Sequence, residues 1–383
     1  MTALQRIPPS PVHLPEAPWL EVFDQALPQF VKRSYLPNER LRNLPFNEKD
    51  LAFFSKGILE LSERLTSDRP LKLTSSLKTY FGSPRYRSSY LLYWLPLQAA
   101  KFVTLLSDTA SDLTLPVERP IRLLDLGAGP LTATWGFHMA FPEASLDVTA
   151  VDQNAAILKT GVAFAKEVRP EQIRITKTHS REFPAEPLIH ALEKSPSFDW
   201  ILLGNVLNED SEHMLQAWSH GIQRILKAHP QAELLWVEPA PKRAAQRLSR
   251  LRDALLPSLP SSRVIRGPCL HTKQCPLSRG RDYCNQSRAI HLPGKTMRGL
   301  EKVLGSPRDH LKFSYFHLSG ENPHRKGLSR TAGPHSARVV SNALKTRAGL
   351  KVQTCEKSGE LTLKTVKSKN DYHRGDLILE RPT

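Results

Sequence analysis

The chain has 383 residues, 40% of them hydrophobic, 24% charged and 7% aromatic, which suits a globular protein with a substantial core and excludes global disorder. The net charge of +17 is unevenly placed: from Lys242 onward 29 Lys/Arg face 10 Asp/Glu, a balance of +19, leaving 17 − 19 = −2 for the first 241 residues. So steep an asymmetry favours a polyanionic partner for the C-terminal third over a merely solvated basic surface.

The opening stretch, MTALQRIPPSPVHLPEAPWLEVFD, has no apolar signal core, and Arg6 is its only basic residue beside Glu16, Glu21 and Asp24. The expectation is neither export nor an organellar presequence, but a bacterial-type cytoplasm. No run approaches the ~20 apolar residues of a membrane span. Residues 1–35 read as a proline-rich N-terminal arm. Residues 36–114 read as a helical domain: Leu51, Phe54, Ile58, Leu61 and Leu65 recur on one helical face, with Asn47 as N-cap. The apolar run RYRSSYLLYWLPLQAAKFVTLL forms a second helix, kinked or broken at Pro96.

Residues 115–256 alternate strands with helices. IRLLDLG (121–127), SLDVTAVD (145–152), IRITKTH (173–179), FDWILLGNV (198–206) and ELLWVEP (233–239) are buried strands. Met214, Leu215, Trp218, Ile222, Ile225 and Leu226 mark one of the intervening helices. This alternation predicts an α/β fold with a doubly wound parallel sheet. From 257 to 383 the texture is basic and rich in Gly, Pro and Ser, with no helical period in 257–310. KFSYFHLS (312–319), ARVVSNALKTR (337–347), a hairpin in LKVQTCEKSGELTLKTVKS and DLILE (376–380) give a β-rich extension.

The first chemical motif is LLDLGAGPLTATWGF, a strand running through Gly127 and Gly129 into a helix. Asp152 closes the next strand. Glycines let a backbone approach a nucleoside ligand, the helix start offers free N–H groups, and the acid accepts from ribose hydroxyls. Thr132 stands where GxGxxG requires its third glycine, so the dinucleotide pattern is not met. Asp125 makes the motif DxGxG instead, which resembles motif I of the class I S-adenosylmethionine-dependent methyltransferases. That likeness implies a class I (Rossmann-like) fold, with Asp125, Gly127, Gly129 and Asp152 as cofactor-binding residues. Leu131 departs from the usual third glycine, and a leucine there is expected to crowd the cofactor's methionine arm. In the loop after the fourth strand, GNVLNED, Asn205 faces cofactor or substrate, while Asn208, Glu209, Asp210 and Ser211 either join it or cap the next helix. Glu238–Pro239 either lines the pocket or turns the chain.

Cys269, Cys275, Cys284 and Cys355 are the only cysteines, separated by 5, 8 and 70 residues. Reduced cytoplasmic thiols in a basic loop point to metal chemistry before disulfides. CxxC pairs typical of structural zinc are missing. The irregular spacing is compatible with an iron–sulfur cluster, with zinc and with unrelated buried thiols, and His271 is a further possible ligand.

DLGAGP followed by PC-x5-CP…DYC, then a late cysteine before SGELTLKTVKSKNDYHRGD, resembles the methyltransferase-like assembly factors of the small ribosomal subunit, known from mitochondria and with bacterial relatives. The resemblance covers roughly 75–375, including YFGSPRYRSSYLLYWLP. It implies S-adenosyl-L-methionine binding, a 4Fe-4S iron–sulfur cluster on Cys269, Cys275, Cys284 and Cys355, and action on the small subunit. Family members have Cys-His where this chain has Cys284–Asn285. The reading that follows is a cofactor-binding protein contacting rRNA phosphates through residues such as Lys273, Arg279, Arg281 and Arg288. Alternatives are an active rRNA or ribosomal-protein methyltransferase and a non-enzymatic zinc- and RNA-binding scaffold.

Overall fold

A computed structural model describes residues 4–8, 11–66, 81–113, 115–207, 214–305, 308–321, 332–369 and 372–380. Strand β1 (Leu4–Ile7) leads into a helical run over 16–35 (α1), then α2 (Glu48–Thr66) and a run over 84–109 (α3). Trp19, Val22, Phe23 and Leu27 of α1 are buried in the main core, with Phe23 6.0 Å from the Trp135 ring. The proline-rich arm is therefore part of the core. On α2 the anticipated face is the buried one, through Phe54, Ile58 and Leu61; the side chain of Leu65 lies outside the described residues. Asn47 Oδ1 accepts from Lys49 N at 2.9 Å, the expected N-cap. Helix α3 does not break at Pro96. It widens into a π-helical turn over Tyr90–Trp94 and resumes as Leu95–Thr109. The altered turn lies where Pro96 would otherwise lack a donor and clash with the preceding carbonyl.

The central unit alternates β2 (Ile121–Leu126), α4 (Thr132–Ala140), β3 (Leu146–Val151), α5 (Ala155–Val168), β4 (Ile173–His179), α6 (Glu186–Glu193), β5 (Trp200–Gly204), α7 (Met214–Ala228), β6 (Glu233–Pro239) and α8 (Lys242–Leu255). In space the strands run β4-β3-β2-β5-β6, all parallel. Further chain completes this sheet: β7 (Ile265–Gly267), β8 (Gln286–Ala289) and β9 (His310–Leu318). β9 lies antiparallel against β6, and β7 and β8 share its far edge. Residues 257–318, grouped by composition with the C-terminal region, thus contribute three strands to the central sheet. They also contain helix α9 (Lys295–Leu304), where no helical period was anticipated. Its apolar face is Met297, Leu300 and Leu304, set among Lys295, Arg298 and Lys302.

A second, antiparallel sheet is built from β10 (Ala337–Val339), β11 (Leu344–Thr346), β12 (Gly349–Glu356), β13 (Leu361–Thr365) and β14 (Leu377–Glu380). Its order is β1-β14-β10-β12-β11, with β13 on β12. The stretch ARVVSNALKTR splits in two because Ser341 Oγ accepts from Gln353 N at 2.8 Å, replacing a main-chain rung. The hairpin turns at Lys357–Gly359 as expected. The whole is a class I methyltransferase-like, doubly wound sheet with N-terminal helices and a β-rich C-terminal extension. Its strand order reverses between β2 and β5, so a crevice opens at their carboxyl ends. Among the described residues no helix is long and apolar enough to cross a membrane.

Candidate functional site

The crevice starts at the glycine turn. Gly127 and Gly129 have φ of +72° and +52°, the left-handed region that glycine enters freely. A Cβ on Gly127 would come within 2.0 Å of Val206 Cγ1, whereas one on Gly129 would meet nothing within 4 Å. The turn is therefore packed tightly behind and open in front. Asp152 pins it: Oδ2 accepts from Gly129 N at 2.8 Å and Oδ1 from Asn154 N at 2.7 Å. Asp125, fully buried, accepts from Thr134 N and Oγ1 at 3.1 and 2.7 Å through Oδ2 alone. Its Oδ1 is buried without a partner among the described residues. Burial raises both carboxyls, that of Asp125 to about 7.

Leu131 takes the conformation of the glycine it replaces, with φ +66°, but its side chain is wholly buried in the main core. Packing of this side chain holds the strained backbone.

Across the crevice, Asn205 follows β5 with φ +59°. Its N–H donates to Val237 O at 2.9 Å, and its Oδ1 is buried and unpartnered among the described residues. The two non-glycine residues with left-handed φ among the described residues thus flank the switch point. Asn208, Glu209, Asp210 and Ser211 lie outside the described residues. Glu238, at the end of β6, is a hub that the sequence did not single out as such. Its Oε1 accepts from Val206 N and Leu207 N, each at 3.0 Å, and from Trp236 Nε1 at 2.8 Å. Lys101 of α3 lies close enough to interact with it electrostatically, and burial brings both groups to about 7, Lys101 from above and Glu238 from below. Sequence signals for Lys101 were weak: one lysine in an apolar helix.

The four cysteines form a second centre. All are free, and all line one cavity of about 40 Å³, with His271, Arg252, Asn285 and Arg338 also in its wall. Helix α8 holds the loop. Arg252 donates to the carbonyls of His271 and Lys273 at 2.5 and 2.7 Å, and both oxygens of Asp253 accept from Cys275 N at 3.0 Å. Cys355 arrives on β12, its Sγ 3.4 Å from His271 Nε2. Arg338 donates to Pro268 O at 3.2 Å and Gly375 O at 2.9 Å, joining the loop to the second sheet. Asn285, in the place of the family's histidine, donates to Ala240 O at 3.4 Å.

Burial, reinforced by the neighbouring sulfurs, pushes Cys275 up to about 11, Cys284 up to about 12 and Cys355 higher still. Thiols raised in this way ionise more readily when a cation shares their cavity. Among the described residues no three metal-ligating side chains converge on one ion. A zinc site requires four such atoms about 2.3 Å from a single centre.

Of the basic residues expected to meet RNA, Lys273, Arg279 and Arg281 are exposed. Arg288 is not: it is 4% exposed and pairs with Asp108 at 2.5 Å. Its partner is 180 residues away in the chain, so the sign of its charge gave no clue to its burial.

Several solved structures are similar in part. A S-adenosylmethionine-dependent methyltransferase from Agrobacterium tumefaciens is 14% identical, covering 59% of this chain and 63% of its own, with a TM-score of 0.37. Precorrin-6y C5,15-methyltransferase from Geobacter metallireducens is 14% identical, covering 56% and 86%, with a TM-score of 0.33. TrmN from Thermus thermophilus is 16% identical, covering 64% and 53%, with a TM-score of 0.32. The chain thus spans less than two thirds of the Agrobacterium and Thermus proteins. No curated protein matches its sequence. The family model described as mitochondrial small ribosomal subunit Rsm22 matches residues 86–376. That span takes in the glycine turn, Asn205, Glu238 and all four cysteines, and the chain belongs to this family.

Proposed function

We propose that the protein binds S-adenosyl-L-methionine in the glycine turn and acts on the small ribosomal subunit in assembly or translation. In this reading it contacts rRNA through a basic C-terminal region organised by an iron–sulfur cluster. One observation carries the cofactor reading: Asp125 Oδ1 and Asn205 Oδ1 are buried and unpartnered beside a glycine turn that is open in front of Gly129. Buried acceptors without donors are costly, and a ligand rich in N–H and O–H groups relieves both. Asp125 would receive the ligand's amino group and Asp152, with lone pairs to spare, its ribose hydroxyls. When bound, the cofactor supplies an electrophilic methyl group. The residues around it orient that group and exclude water.

Family membership supports the ribosomal partner, and exposed Lys273, Arg279 and Arg281 support contact with phosphates. The four cysteines line one cavity, and a cluster on Cys269, Cys275, Cys284 and Cys355 would use all of them, with zinc as the alternative. The protein would work in a bacterial-type cytoplasm. Its division would follow the arm 1–35, the helical part 36–114, the cofactor domain 115–256 and the basic part 257–383, the last lending strands to the cofactor domain.

Titration calorimetry with S-adenosylhomocysteine tests the cofactor reading. The protein should bind it, and Gly129→Val, which puts a branched side chain into the open space, should weaken binding by about tenfold or more while preserving the circular dichroism spectrum. Equal affinity of the two proteins would remove the reading. Anaerobic purification tests the cluster: a colourless protein with one zinc and no iron overturns it.

A further inference from the structure

The wall opposite the glycine turn adds to Asn205 several residues that the cofactor reading leaves unused. Lys101, 5% exposed, comes from α3, and fully buried Glu238 from the end of β6. Phe102 fixes this helix against the sheet, since a Cβ on Gly204 would sit 3.2 Å from its ring. Val206 joins the two walls. Its side chain fills the space behind Gly127, and its N–H donates to Glu238 Oε1 at 3.0 Å.

With three donors on Oε1, Glu238 Oε2 is buried with no partner among the described residues, as are Asn205 Oδ1 and Gln98 Oε1. Gln98 stands one turn before Lys101 on the same helix face. Lys101 itself makes no hydrogen bond among the described residues. A wall offering unmet acceptors, with a carboxylate among them, calls for a ligand group that brings N–H donors.

We propose that Glu238, with Asn205 from the loop it anchors, Gln98 one turn from Lys101 and Lys101 as its counter-charge, forms the subsite for the methyl acceptor, and that the acceptor is an amino nitrogen. This rests on the cofactor reading above. In the transfer the nitrogen lone pair takes the methyl carbon, and the S–C electron pair stays on sulfur. The proton that the nitrogen then loses passes to Glu238 Oε2. Burial brings Lys101 down and Glu238 up, each to about 7, which suits Glu238 to take a proton near neutral pH.

The probe is sinefungin, a cofactor analogue that carries an amine at the position of the transferable methyl. Its affinity is measured against that of S-adenosylhomocysteine, which lacks the amine. Wild-type protein should prefer sinefungin by about tenfold, the worth of one charge-assisted hydrogen bond. Glu238→Gln should abolish the preference and leave S-adenosylhomocysteine affinity unchanged. Lys101→Met, which removes a competing cation, should widen it. A wild type that binds neither compound removes the cofactor reading and the subsite with it. Binding of both, with the same ratio in wild type and Glu238→Gln or no widening in Lys101→Met, overturns the subsite alone. Loss of S-adenosylhomocysteine binding by a folded Glu238→Gln assigns Glu238 to the cofactor and also overturns it.

Discussion

Asp125 is held through one oxygen by Thr134, and its other oxygen meets nothing described. Its folded-state value of about 7 lies above the ordinary carboxylate value, so the folded state binds the proton more tightly than the unfolded one. Stability is then full below about pH 4 and falls as pH rises toward 7, a loss on the order of 4 kcal/mol at most. Asp125→Asn should lose this dependence: its melting temperature should exceed wild type above pH 7 and converge with it below pH 4. Parallel melting curves across that range would contradict the burial argument. The same residue was legible in the sequence, because an acid before two glycines at a strand end has few other uses. Lys101 was not legible. Only the packing of α3 against β5 and β6 brings that lysine beside Glu238, and no local pattern encodes a contact across 137 positions.

The helices at the N-terminal side show how elements are joined by single pairs. Lys32 of α1 reaches Asp50 of α2 at 2.6 Å, with both side chains buried, and the same Asp50 oxygen accepts from Asn47 N at 2.9 Å. Lys32→Met leaves a buried carboxylate uncompensated and should cost ~3–5 kcal/mol, whereas Lys32→Met/Asp50→Asn should recover most of that loss. Urea titrations of the three proteins measure both numbers. Equal stability of the single and double variants would show that the pair has no coupling. At this scale the central strands and α2 were readable from period alone. Helix α9 was hidden by its setting, a basic decamer in which only Met297, Leu300 and Leu304 pack on the core. The split between β10 and β11 was hidden too, since a serine side chain supplies the rung.

Across the whole molecule, the second sheet has little core of its own: Ala337, Val339, Val352, Val366 and Ile378 make up its main buried cluster. Its attachment relies on Arg338, on β1, and on Cys355 delivering the fourth thiol to the loop. A metal held by Cys355 and the loop together would close over a long segment and constrain the unfolded chain strongly. Cys355→Ser should therefore make the C-terminal sheet sensitive to limited proteolysis while residues 115–256 stay resistant. Equal resistance in both proteins would show that Cys355 does not staple the sheet.

The pairing of β1 with β14 sets Leu4 opposite Glu380, and Arg6 Nε reaches Asp376 at 2.6 Å. During synthesis the first of these strands emerges roughly 20–75 s before its partner exists, at the usual 5–20 residues per second. The central parallel strands can pair in that interval, because all five are made before α8. The second sheet cannot close until the chain is nearly finished. Cys355 belongs to that sheet, so its thiol joins the other three only once β12 has been made. Any group shared by all four thiols would thus be loaded only after the strands of the central sheet have been made.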